Sequence, residues 1–173
     1  FSLDEAHFST EPYIIRGWFK KKGRHLIHNP TRRERCTIFG AWNMGKQKFY
    51  WKKAPRGNTK FFIEFLHQLR QNHKGKKLVF IVDNVSFHRS KKMFKWLNKY
   101  NEILLVNLPT YSPEYNPVEQ VWKWLKPLVY GARTLDNGLE EILKKIRMIC
   151  WHWREGRLIK PLKVGNGIWN VLL

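Results

Sequence analysis

The sequence predicts an α/β fold around a mixed, five-stranded central sheet, an antiparallel meander joined to parallel strands and flanked by helices. Three observations predict it. Residues 1–8, 35–42 and 46–52 are β-rich segments separated by turn-forming residues. After residue 58, helix-like and strand-like segments alternate, an order that implies parallel pairing through right-handed crossovers. Residues 77–83, Lys-Leu-Val-Phe-Ile-Val-Asp, form a continuous apolar run ending in a charge, the pattern of a strand buried on both faces.

Each element has a local reason. In residues 1–8, Phe1 and Leu3 share one face of a short strand and Ser2 and Asp4 the other. A chain that begins inside a strand is expected to continue a longer protein. Residues 12–30 mix Pro, Gly and the basic run Lys20, Lys21, Lys22, Arg24, giving loop and turn around one short strand. Met44-Gly45 favours a hairpin between the strands over 35–42 and 46–52. Asn58 or Thr59 caps a helix to about residue 72, with Phe61, Phe62, Phe65, Leu66 and Leu69 on one face. Ser90 opens a basic helix over 90–100, with Met93, Leu97 and Tyr100 inward, and residues 102–107 form a second buried strand. Residues 117–126 are helical. A long amphipathic helix follows over 135–154 on Leu135, Leu139, Ile142, Ile146, Ile149 and Trp153. Residues 1–173 are expected to make one domain, with a loose tail from Gly156.

Composition narrows the function. Thirty-three Lys and Arg face 13 Asp and Glu, a net charge of +20. That excess goes beyond what solubility needs and points to a polyanionic partner, nucleic acid before any other. The cations are dispersed rather than gathered on one amphipathic helix, which disfavours a membrane surface. No apolar run is long enough to span a bilayer, and residues 1–20 lack the charged and apolar regions of a signal peptide. Cys36 and Cys150 lie far apart in apolar contexts with no CxxC pair, so they read as buried free thiols in a reducing compartment rather than zinc ligands. The only aspartates are Asp4, Asp83 and Asp136.

Asp83 ends the buried strand, where sites gather in open α/β sheets. Asp4 lies near the end of the first strand, and Glu119 lies one turn into a helix. Three converging carboxylates would raise one another's pKa values unless a cation joined them, and hard oxygen ligands suit Mg²⁺ or Mn²⁺. Local sequence leaves other readings open. Asn116-Pro117-Val118-Glu119 also fits a capping box with Asn116 at the N-cap, which is compatible with ligation. Asp83-Asn84 would equally suit a strand-end turn, Asp4 a surface position with Glu5 as the functional acid, and His88 a structural role.

Three segments together, Phe-Ser-Leu-Asp-Glu, Phe-Ile-Val-Asp-Asn-Val-Ser-Phe-His and Leu-Pro-Thr-Tyr-Ser-Pro-Glu-Tyr-Asn-Pro-Val-Glu-Gln-Val-Trp-Lys-Trp-Leu-Lys, resemble the DDE transposases of the mariner-like superfamily. The match is nearest to the bacterial insertion-sequence branch, the DDE superfamily endonucleases. Thirty-five residues separate Asp83 from Glu119, close to the norm of that superfamily, and the similarity covers roughly residues 1–150. The resemblance implies a ribonuclease-H-like catalytic domain whose triad Asp4, Asp83 and Glu119 binds two Mg²⁺ or Mn²⁺ ions. It further implies cleavage at transposon ends and transfer of the freed 3′-hydroxyl into target DNA, commonly at TA. Asn84, His88 and Asn116 match positions beside such a site, and Trp18 and Gly23 match a segment after the first strand. Expected DNA contacts are Lys20, Lys21, Lys22, Arg24, Lys91, Lys92, Lys123 and Lys126. The N-terminal helix-turn-helix modules of the family do not precede the first strand here, so binding by this piece alone is expected to be non-specific and salt-sensitive. A homodimer is implied, with Trp151, Trp153 and Trp169 as interface candidates beside an ordinary core role, and a cytoplasmic, nucleoid-associated location if the source is bacterial. The competing readings are a transposase-derived DNA-binding protein without catalysis and another ribonuclease-H-like nuclease.

Overall fold

Strand β1 (Ser2–Ser9) is the middle of a five-stranded sheet in the computed structural model, which describes residues 1–11, 33–109, 112–131 and 138–155. It pairs antiparallel with β2 (Arg35–Asn43), which pairs antiparallel with β3 (Lys48–Ala54). On its other side β1 runs parallel to β4 (Leu78–Val82), and β4 runs parallel to β5 (Ile103–Asn107). The sheet order β3-β2-β1-β4-β5 is the expected meander joined to parallel strands. Asp4 sits in the middle of β1 rather than near its end, because the pairing with β2 continues to Ser9 opposite Arg35. The β2–β3 hairpin turns at residues 44–47, but the left-handed position falls on Gln47 (φ 52°) rather than on Gly45.

Helices cover both faces. Helix α1 (Thr59–Asn72) is capped by Asn58, whose side chain accepts from the Phe61 backbone N–H. It buries Phe62, Phe65, Leu66 and Leu69 against Leu3, Phe39, Phe80 and Val82. Each such side chain, fully withdrawn from water, contributes roughly 1.5–3 kcal/mol. Helix α2 (Lys91–Leu97) is shorter than the expected 90–100 and is capped by Ser90 as expected. On the opposite face, α3 (Val118–Tyr130) and α4 (Gly138–Arg154) pack on Ala6, Phe8, Cys36, Ile38 and Trp42. Period-2 alternation in β2 therefore feeds two cores, which is why nearly the whole strand is buried.

Two further expectations are corrected. Helix α3 passes Pro127 instead of stopping before it: proline there forfeits one backbone bond, and the Tyr130 hydroxyl is held by the Ser9 backbone, accepting from its N–H at 2.9 Å and donating to its carbonyl at 3.1 Å. Strand β5 is not buried on both faces. Leu104 is 58% exposed and Val106 38%, with Val79 of β4 at 44%, because β5 is the sheet edge and α1 and α2 cover only the other face. An apolar run looks the same in sequence whether one face or two is covered. Trp153 belongs to the core, stacked on Trp42 at 5.3 Å, whereas Trp151 is 41% exposed. Trp18, Lys20, Lys21, Lys22, Gly23, Arg24, Leu135, Asp136, Trp169 and the tail from Gly156 lie outside the described residues. Among the described residues, both cysteines are free thiols, and burial pushes Cys36 up and Cys150 to about 12, so neither is poised to react. No helix of the described residues is long and apolar enough to cross a membrane.

Candidate active site

The sheet brings the three acids to one region. Ser2 pairs with Ile81 across the parallel β1–β4 junction, so Asp4 and Asp83, each two residues further on, leave neighbouring points. Asp4 points toward α3, where its Oδ2 accepts the Trp122 indole N–H at 3.0 Å. Trp122 follows Glu119 by three residues and shares its face of α3. The indole reaches the sheet because Gly40, the β2 partner of Asp4, has no side chain: a Cβ there would lie 2.4 Å from the Trp122 ring.

Asp83 is ordered from the other side. His88, fully buried between Phe62 and Phe87, directs Nδ1 to Asp83 Oδ1 at 3.0 Å, and the Val85 backbone N–H donates to the same oxygen at 3.3 Å. His88 therefore orients the acid. Asn84 does not turn toward the acids: its amide donates to the Leu108 carbonyl and ties the ends of β4 and β5 together.

Glu119 stands in the first turn of α3, and the expected capping box does not form. Pro117 occupies the N-cap position without a side-chain bond. Asn116 is buried and turned to β1, where its Nδ2 donates to the Leu3 carbonyl at 3.2 Å and its Oδ1 accepts the Ser2 hydroxyl. Ser2 Oγ in turn accepts the Val118 N–H at 3.0 Å. The cap of α3 is thus supplied by the neighbour of an acid on another element.

The charges of these groups act on one another. Burial pushes the Asp4 carboxyl well above the usual range, and the charges of Glu119, Glu5 and Asp83 push it further. Glu5, half-buried on the other face of β1, is raised to about 6 by burial, with the His88 charge opposing and the Asp83 charge adding to the rise. Burial would also raise Asp83, but its hydrogen bond to His88 and the His88 charge outweigh this and leave it below its ordinary value. Glu5 Oε2 and His88 Nε2 are buried with no hydrogen-bond partner among the described residues. Among those residues, no three His, Cys, Asp or Glu side chains are drawn tightly enough to grip one ion. The acids nevertheless fit divalent-ion ligation in kind: all are hard oxygen donors, and their mutual repulsion at Asp4 is what a cation would relieve.

The expected DNA contacts divide by position. Lys91 and Lys92 are exposed at the start of α2, Lys123 is exposed on α3 and Lys126 is half-buried. Ser2, Gly40 and Trp122 escaped sequence reasoning. Only the i, i+3 spacing of Glu119 and Trp122 hinted at one of them.

A pH prediction follows from Glu5. Its folded form holds a proton above the pH at which the unfolded chain releases it, so its contribution is present at acid pH and is lost as pH rises from about 4.5 to about 6. The metal-free stability difference between wild type and E5Q should shift by roughly 2 kcal/mol against wild type between pH 4 and 7. Calorimetry in chelator measures it, and a difference that stays flat across this window contradicts it.

The comparisons with known proteins bear on the family and the fold. The family described as DDE superfamily endonuclease matches residues 1–138. An uncharacterized 39 kDa protein of insertion element IS630 from Shigella sonnei is 26% identical over 148 residues, covering 85% of this chain and 43% of that protein. The transposase of transposable element Tc1 from Caenorhabditis elegans is 31% identical over 83 residues, covering 45% of this chain and 30% of that protein. The chain spans less than half the length of either relative. Among solved structures, Mos1 transposase in a paired-end complex with the left transposon end has a TM-score of 0.51 at 16% identity, over 88% of this chain and 52% of that one. A simian T-cell lymphotropic virus intasome in complex with PP2A regulatory subunit B56 gamma gives 0.56 at 13% identity, over 96% of this chain and 65% of that one. At such identities the likeness shows the fold, which is ribonuclease-H-like as the resemblance implied.

Proposed function

The chain belongs to the DDE superfamily endonucleases, and from that membership we propose that it is a transposase catalytic domain in which Asp4, Asp83 and Glu119 hold two Mg²⁺ or Mn²⁺ ions and direct DNA cleavage and strand transfer. The carrying observation is geometric: Asp4 and Asp83 each lie two residues beyond the paired Ser2 and Ile81, and the Trp122 indole, three residues after Glu119 on α3, donates to Asp4 Oδ2 at 3.0 Å. When bound, the ions would lower the pKa of water or a 3′-hydroxyl and neutralise the leaving oxygen. The residues supply the frame. Asp4 is steadied by Trp122, Asp83 by His88, and Glu119 by the start of α3. In cleavage a water oxygen forms the new bond to phosphorus, the bond to the 3′-oxygen breaks, and the proton that the water gives up leaves that oxygen as a 3′-hydroxyl. In strand transfer the 3′-hydroxyl oxygen bonds to a target phosphorus, gives up its proton, and the target's own 3′-oxygen departs as a hydroxyl. Lys91, Lys92, Lys123 and Lys126 would hold phosphates on either side, and Asn84 and Asn116 act as structural ties rather than DNA contacts. Two element ends need pairing, so the working form is expected to be a homodimer.

The test is conversion of supercoiled plasmid to open-circular and linear forms by the purified chain with Mg²⁺ or Mn²⁺, beside chelator and the acid variants. Divalent-dependent nicking supports the reading. Retarded migration of DNA in gels with no nicking under any ion supports a DNA-binding protein without catalysis. Preferential cleavage of RNA–DNA hybrid or of junctions over plain duplex supports another nuclease of this fold.

A further inference from the structure

We infer that Ser2 is a positioning residue that sets the spacing between Asp4 and Glu119; the inference rests on the proposal that these two acids share cations. Helix starts leave backbone N–H groups without partners, and α3 brings no cap of its own. The partner comes from β1. One hydroxyl makes two bonds: Ser2 Oγ accepts from Val118 N–H at 3.0 Å and donates to Asn116 Oδ1. Asn116 completes the ring by donating to the Leu3 carbonyl at 3.2 Å. Ser2 is 0% exposed and Asn116 3%, so water does not compete for these bonds.

The ring joins the residues that immediately precede each acid in the chain. Ser2 is two residues before Asp4 on β1, and Val118 is the residue before Glu119 on α3. It therefore fixes one acid's backbone against the other's and leaves only side-chain rotation to draw the carboxylates onto an ion. A general role in holding α3 is already filled elsewhere. Val118, Val121, Trp122, Leu125 and Val129 are buried along its length, and Tyr130 is tied to Ser9 at its far end. Loss of the Ser2 hydroxyl should thus release the first turn of α3 while the rest stays packed.

Three variants and two measurements test this. Amide hydrogen exchange of metal-free protein reads the ring directly, and Mn²⁺ affinity by electron paramagnetic resonance reads the acid spacing. S2A is expected to speed exchange at residues 116, 118 and 119 and to weaken Mn²⁺ binding about tenfold, the scale of losing a group that orients a metal ligand. N116A, which opens the ring from its other side, should reproduce both changes. S2T keeps the hydroxyl and should return both toward wild type. The inference is overturned if S2A and N116A speed exchange but leave Mn²⁺ affinity unchanged, or if neither alters exchange at these residues. If wild type and D4A bind Mn²⁺ equally, the proposed cation site itself fails and the spacing role with it, while exchange still shows whether the ring holds α3.

Discussion

Replacing any one of Asp4, Asp83 and Glu119 by its amide is expected to lower divalent-dependent nicking about a thousandfold, the scale of removing one ligand from a preorganised charge site. The three variants should differ in stability, and that difference follows from the structure. D4N removes a carboxyl held far above its ordinary range, and its amide oxygen still accepts from Trp122, so the fold should hold or gain at pH 7. D83N leaves an amide oxygen that can still accept from His88, a fully buried side chain, but removes the charge that strengthens the bond, and should cost about 1 kcal/mol. E119Q changes a half-buried group at a helix start and should be close to neutral. Plasmid nicking and thermal melting measured on the same preparations check both halves. Full cleavage by all three variants would end the assignment of the acids.

Gly40→Ala should be strongly damaging. Its Cβ would sit 2.4 and 2.6 Å from two Trp122 ring carbons and 2.9 Å from Phe49. Trp122 cannot retreat freely, being 3% exposed and wedged edge-on against Phe8 and Phe49. Overpacking of this kind costs about 1–3 kcal/mol, a fall in Tm of roughly 3–9 °C for a chain of this size. A displaced indole also withdraws its N–H from Asp4, so nicking should fall further than stability explains. Adding Trp122→Phe to Gly40→Ala separates the two effects. The smaller ring should recover much of the Tm without restoring nicking, because it carries no donor. Recovery of both together would show that Trp122 only fills space.

Much of this site could be read before any coordinates. Asp83 announced itself as a charge ending an apolar run, and Glu119 as the acid in a proline-punctuated helix start. Both signals are local. Asn116 misled for the same reason: its sequence fits a cap, yet its amide is turned to β1, a choice made by hydrogen-bond partners 113 and 114 residues away. Pro127 misled because local steric rules take no account of Tyr130 holding Ser9. The exposed side of β5 was equally hidden, since hydrophobicity says that a strand wants cover and not which face receives it.

The amino-acid sequence determined the strands and helices, their parallel and antiparallel order, and the three acids, because periodicity, turn chemistry and isolated charge act over a few neighbouring residues. Tertiary structure alone decided that Ser2 caps α3, that Trp122 enters the space left at Gly40 to hold Asp4, and that buried His88 aims Asp83. Those pairings join segments distant in the chain, and the free energy that selects them exists only once the two faces of the sheet have closed over their cores.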